Sequence, residues 1–154
     1  MLVAGIGNIF LGDDGFGVEV ANRLAAESLP DAVKVRDFGI RGLHLAYEIL
    51  DGGYGTTVLV DASPRGGAPG DVYLIEPALE KIEPSAADAH SMDPAAVFAA
   101  LKTLGGEPSR VLIVGCEPAS VEEGIGLSAP VANAVGEAVR LIRELIEREG
   151  SRGD

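Results

Sequence analysis

Cysteine is almost absent from this chain of 154 residues, with Cys116 the single example. One thiol cannot form an internal disulfide or build a metal centre from several cysteines, so a reducing cytoplasm is the expected compartment. Bases are scarce as well, 12 Lys and Arg against 24 Asp and Glu, for a formal net charge of −12. A field of that sign repels nucleic acid and anionic membranes, and neither is an expected partner. No apolar run approaches the length of a membrane span, and no basic segment precedes the first apolar run. A soluble, untargeted protein is therefore expected. Also missing is the G-x-S-x-G elbow of serine hydrolases around Ser63, Ser120 or Ser128.

What is present is 47% apolar residues, enough to bury one real core at this length. Residues 1–149 are expected to form a single α/β domain and 150–154 a frayed tail. Leu2 to Ile6 reads as a buried strand, and Gly5, Gly7 and Asn8 turn the chain towards a helix. In that helix Val18, Ala21, Leu24 and Ala25 recur at helical spacing to about Ser28, before Pro30 stops it. A second strand, Val33 to Arg36, ends at Asp37, and a second helix carries Leu43, Ala46, Tyr47 and Leu50 on one face. The β-branched run Thr56 to Val60 hands over to Asp61.

A Gly- and Pro-rich loop then leads to a fourth strand at Val72 to Ile75. A parallel return needs a crossover of about a dozen residues, usually a helix, and none is signalled, so this strand should run antiparallel. Glu76 to His90 reads as a candidate mobile lid. Asp93 should cap a helix starting at Pro94, with Val97, Phe98 and Leu101 buried. The fifth strand, Arg110 to Val114, should be central, and Ser128 should open a last helix burying Val131, Val135, Ala138, Ile142 and Leu145. The expected fold is a three-layer α/β/α sandwich with a mixed five-stranded sheet, order 2-1-3-5-4, strand 4 antiparallel.

In such folds ligands bind at the carboxyl ends of the strands where strand order reverses. Asp14 follows strand one, Asp61 ends strand three, and Asp37 borders the same crevice. The helix from Pro94 must run from the crevice edge to the start of strand five, which returns His90 to that side. Two carboxylates and an imidazole form an open coordination set for a borderline divalent cation such as nickel or zinc, with positions left for water or substrate. The same residue types at loop tips also serve as caps and surface groups, and on spacing alone both readings stand. Asp13 reads as a helix cap or a support for Asp14, Glu117 as a loop acid, Cys116 as a small core residue and His44 as a surface group. Glu19 reads as solvated, or as an alternate ligand.

Four stretches carry a resemblance that covers almost the whole chain: GIGNIFLGDDGFG at Gly5 to Gly17, VDAS at Val60 to Ser63, HSM at His90 to Met92, and GCEP at Gly115 to Pro118. In this order and spacing the sequence resembles the nickel-iron hydrogenase maturation endopeptidases. The resemblance implies a cytoplasmic, metal-dependent aspartic-type protease that removes a C-terminal extension from the hydrogenase large-subunit precursor after nickel insertion. It further implies Asp14, Asp61 and His90 as metal ligands, with Asp37 matching the family's aspartate after strand two. Nickel would be presented by the substrate, although another divalent cation is possible, and a monomer suffices. Two features depart from the common pattern: the opening acid, often glutamate, is Asp14, and the usual Asp-Gly-Gly is Asp37-Phe38-Gly39.

Two other classes compete. Gly5 and Gly7 begin a dinucleotide-binding fingerprint, but Phe10 replaces its third glycine, and Asp13 and Asp14 put negative charge where a pyrophosphate would lie. A non-catalytic metal-binding or chaperone-like maturation factor would use the same crevice without changing its partner's mass.

Overall fold

The computed structural model describes residues 1–77, 94–106 and 110–152. Its strands are β1 (Leu2–Ile6), β2 (Lys34–Gly39), β3 (Thr57–Ala62), β4 (Val72–Ile75) and β5 (Val111–Cys116). They form one sheet in the order β2-β1-β3-β5-β4, with every adjacent pair parallel except β4 and β5, which are antiparallel. Strand order and direction are those expected. β1, β3 and β5 are buried along their whole length, which is why they read as continuous apolar runs rather than alternating ones.

Four helices, α1 (Phe16–Ala25), α2 (Gly42–Gly52), α3 (Pro94–Thr103) and α4 (Ala129–Arg152), cover the two faces. On one face Val3, Val58, Val60 and Val114 pack with Phe16 and Leu24 of α1 and Val135 and Ile142 of α4. On the other, Leu2, Ala4, Leu59 and Ile113 pack with Leu45 of α2 and Phe98 and Leu101 of α3. Successive strand residues go to opposite cores because side chains alternate across a sheet.

Several local expectations change. α1 stops at Ala25 rather than Ser28, and Ala25 faces solvent, because the amides of Ala26 and Glu27 donate three residues back, to the carbonyls of Arg23 and Leu24, and tighten the last turn. α2 is rotated from its predicted face: Leu45, Ala46 and Ile49 are buried, whereas Leu43, Tyr47 and Leu50 are exposed. Its sequence is apolar on nearly all sides, so packing against the sheet and α3, not periodicity, chose the stripe. β2, β3 and β5 each continue past their predicted ends, placing Asp37 and Asp61 inside strands. Ladder bonds involve only backbone, and Asp37 pairs with Gly5 and Asp61 with Gly115 whatever their side chains prefer. α4 runs to Arg152, into the stretch expected to fray. Most of the predicted lid, together with His90 and the capping Asp93, lies outside the described residues.

Candidate functional site

The site is built where the first turn of α1 meets the carboxyl ends of β1 and β3. A Cβ on Gly17 would collide with the carbonyl oxygens of Val60 and Ile6, so the bare backbone lets α1 sit directly on both strands. Between β1 and α1 the chain forms a 3₁₀ turn, Gly12–Gly15, that carries Asp13 and Asp14.

Asp14 is half-buried, and its Oδ2 accepts from the Asn8 amide at 2.7 Å. Its Oδ1 makes no hydrogen bond among the described residues. Asp61 is 4% exposed. Its Oδ1 accepts from the Ala62 amide at 2.8 Å and lies 3.4 Å from where a Cβ on Gly7 would be. That same Cβ would strike the carbonyl oxygen of Asp14. The bare backbone of Gly7 thus lets the Asp14 main chain and the Asp61 carboxylate both adjoin it at the crevice edge.

Asp37 stands beside this spot on the other face of the sheet. Its neighbour Phe38 packs in the α2/α3 core, so alternation turns Asp37 towards α1, where it shares a cleft with Val18 and Glu19. Asp61 follows Val60, which points to the α1/α4 core, and therefore faces the α2/α3 side. Glu19 is exposed and lines Asp37's cleft rather than the spot shared by Asp14 and Asp61. His44 is exposed on α2. His90 lies outside the described residues, and among those residues no group of three His, Cys, Asp or Glu is arranged to hold a metal.

Two buried acids, expected as a helix cap and a loop acid, have structural partners that sequence reasoning did not identify. Asp13 is 1% exposed and supports no bond at the start of its own helix. Its carboxylate accepts from the amides of Ala119 at 2.8 Å, Ser120 at 3.1 Å and Ser128 at 2.7 Å, and from the Ser128 hydroxyl at 2.8 Å. It therefore caps the N-terminus of α4, where the helix dipole favours an anion, and fixes the loop after β5 against the 3₁₀ turn. Burial alone would raise its pKa, but these bonds to the charged form outweigh it and hold the carboxyl below its ordinary value.

Glu117 is the second. Its Oε1 accepts from the amides of Arg65 and Gly67 and from the Tyr73 hydroxyl, all at 2.8 to 2.9 Å, pinning the loop between β3 and β4. The Arg65 amide is foremost in holding this carboxyl below its ordinary value. The partners of both acids lie far away in sequence, so no local pattern announces them. Cys116 is buried, and burial first, then the Asp13 charge, push its thiol up to about 11. A thiol so poorly ionised is a core residue, not a nucleophile.

Among the described residues no helix is long and apolar enough to cross a membrane. A family model described as hydrogenase maturation protease matches residues 18–145. The chain is 30% identical to the hydrogenase 2 maturation protease of Escherichia coli, covering 97% of this chain and 92% of that protein. It is similar in structure to the hydrogenase 2 maturation peptidase of a Thaumarchaeota archaeon, with a TM-score of 0.74, 31% identity, and coverage of 95% of this chain and 97% of the other. It is also similar to the hydrogenase maturating endopeptidase HybD of E. coli, with a TM-score of 0.78, 26% identity, and coverage of 97% and 93%.

Proposed function

The chain belongs to the hydrogenase maturation protease family, and on that premise we propose that it is a cytoplasmic, monomeric endopeptidase that removes the C-terminal extension of a nickel-iron hydrogenase large-subunit precursor once nickel is in place. The observation that supports this reading is that Asp14 and Asp61 both adjoin Gly7 at the carboxyl edge of the sheet, with Asp14 bonded to the Asn8 amide.

Nickel enters as part of the substrate. Asp14 and Asp61 supply oxygen donors that with an imidazole would make the mixed N,O set nickel takes, and Oδ1 of Asp14 has no hydrogen bond among the described residues. His90 is the proposed third ligand. It precedes Pro94 by four residues, a reach of at most about 14 Å of extended chain, and Pro94 opens α3 in the layer that Asp61 faces. A divalent ion held by this set would supply Lewis acidity, to polarise a scissile carbonyl or to lower the pKa of a water. Asp37, across the sheet, orients the substrate peptide or moves a proton. The enzyme is in this sense metal-dependent and of aspartic type.

The test is incubation with nickel-loaded and nickel-free precursor side by side, with the products weighed by mass spectrometry. Only the nickel-loaded form should lose its extension, and Asp14→Ala, Asp61→Ala and His90→Ala should each abolish the loss. Equal cleavage of both forms would remove the nickel requirement. Stable binding of the precursor with no change in its mass would favour a non-catalytic maturation factor instead.

A further inference from the structure

Asp37 also borders an open cleft of about 310 Å³ between the turn after β1 and the end of β2. Ile9, Phe10, Phe38 and Ile40 give it apolar walls, and Gly7 and Asn8 also line it, the backbone that Asp14 and Asp61 adjoin. Phe10 is 59% exposed and Ile40 62%. Exposed apolar side chains scattered singly need no explanation, but here three large ones, Ile9, Phe10 and Ile40, share one cleft next to the candidate site.

Arg41 stands at the rim of this cleft. Its Nε donates to the Phe38 carbonyl at 3.2 Å and one terminal nitrogen donates to the Asp37 carbonyl at 2.6 Å. These bonds pin the guanidinium while leaving most of its N–H groups uncommitted, and no carboxylate pairs with it among the described residues. In a chain with 24 acids and 12 bases, a fixed cation without an acidic partner among the described residues is well placed to receive a carboxylate from outside, since its ordering cost is already met. The guanidinium groups of Arg36 and Arg41 both lie over the Phe38 ring, 5.4 and 5.9 Å from its centre, and gather positive charge at that wall.

We propose that this cleft is a specificity subsite for a segment of the substrate polypeptide in which a large aliphatic or aromatic residue adjoins an acidic one. The apolar side chain enters between Phe10 and Ile40, and the neighbouring carboxylate meets Arg41. Which polypeptide brings the segment rests on the protease reading above, whereas the binding preference is independent of cleavage.

The experiment uses the full chain and fluorescein-labelled octapeptides built on a Gly/Asn background with a central Leu-Glu, Ser-Glu or Leu-Lys, read by fluorescence anisotropy at low salt. Leu-Glu should bind about tenfold more tightly than either of the others. Ile40→Asp should erase the advantage of Leu over Ser. Arg41→Met should erase the advantage of Glu over Lys while leaving that of Leu. Because Arg41 also holds the β2 turn, Arg41→Lys, which retains the charge, should keep part of the Glu preference. Equal binding of the three peptides, or preferences unchanged in both Ile40→Asp and Arg41→Met, would overturn the proposal. Peptide preference without precursor cleavage would sink only the protease reading, and cleavage without peptide preference only this one.

Discussion

Asp13 and Asp14 are adjacent, chemically identical and differently employed. Asp13 is enclosed by three amides and a hydroxyl from distant segments, whereas Asp14 is half-buried with one bond to Asn8. Asp13→Asn puts an NH₂ group against backbone donors and should cost about 3 kcal/mol in urea unfolding. Asp14→Asn keeps the acceptor for Asn8, so its stability should stay within about 1 kcal/mol of the parent while precursor processing is lost. Equal destabilisation by the two changes would contradict this division. The pair was legible as two acids at a turn, but their roles were not, because the Asp13 partners lie more than a hundred residues away in sequence.

The same residue sets an acid limit. The folded-state pKa of Asp13 lies below the ordinary value for an aspartate, so its contribution is complete above the unfolded value and is lost as pH falls through the folded one. Glu117 acts in the same sense. Urea midpoints should therefore hold steady towards about pH 5 and decline below about pH 4. Asp13→Asn should show a shallower decline, and a parallel one would mean that other carboxylates carry the effect.

At the scale of elements, the seating of α1 decides whether there is a site. Gly17 touches carbonyl oxygens of β1 and β3, so Gly17→Ala must lift the helix or bend the strands, at a cost of about 2 to 3 kcal/mol. Because the 3₁₀ turn with Asp14 moves with α1 while Asp61 stays in β3, processing should be lost even at temperatures where circular dichroism shows the variant folded. Full activity in a folded Gly17→Ala protein would mean that the spacing of the two acids is not critical. Strands were more legible than helices: unbroken apolar runs at β1, β3 and β5 admit one reading, whereas α2, apolar nearly all round, admits two faces and only packing selects between them.

For the molecule as a whole, a strand-turn-helix opening within an α/β sandwich is shared with dinucleotide-binding folds. Here the space a pyrophosphate would need is edged by Asp14, and the buried Asp13 anion sits close by, tied to α4. A dinucleotide such as NAD at about 1 mM should leave the melting temperature unchanged, since a ligand with no affinity for the native state cannot stabilise it. A clear rise would reopen that reading.

By itself the sequence determined the sheet order and the antiparallel β4, because apolar runs, loop lengths and chain direction are local properties that constrain topology. Only the tertiary structure decided which face of α2 is buried, that Asp37 and Asp61 lie on opposite faces, that Asp13 and Glu117 are structural anchors, and that Arg41 stands over an apolar cleft. Each of these depends on contacts between segments far apart in the chain, whose energies no local pattern encodes.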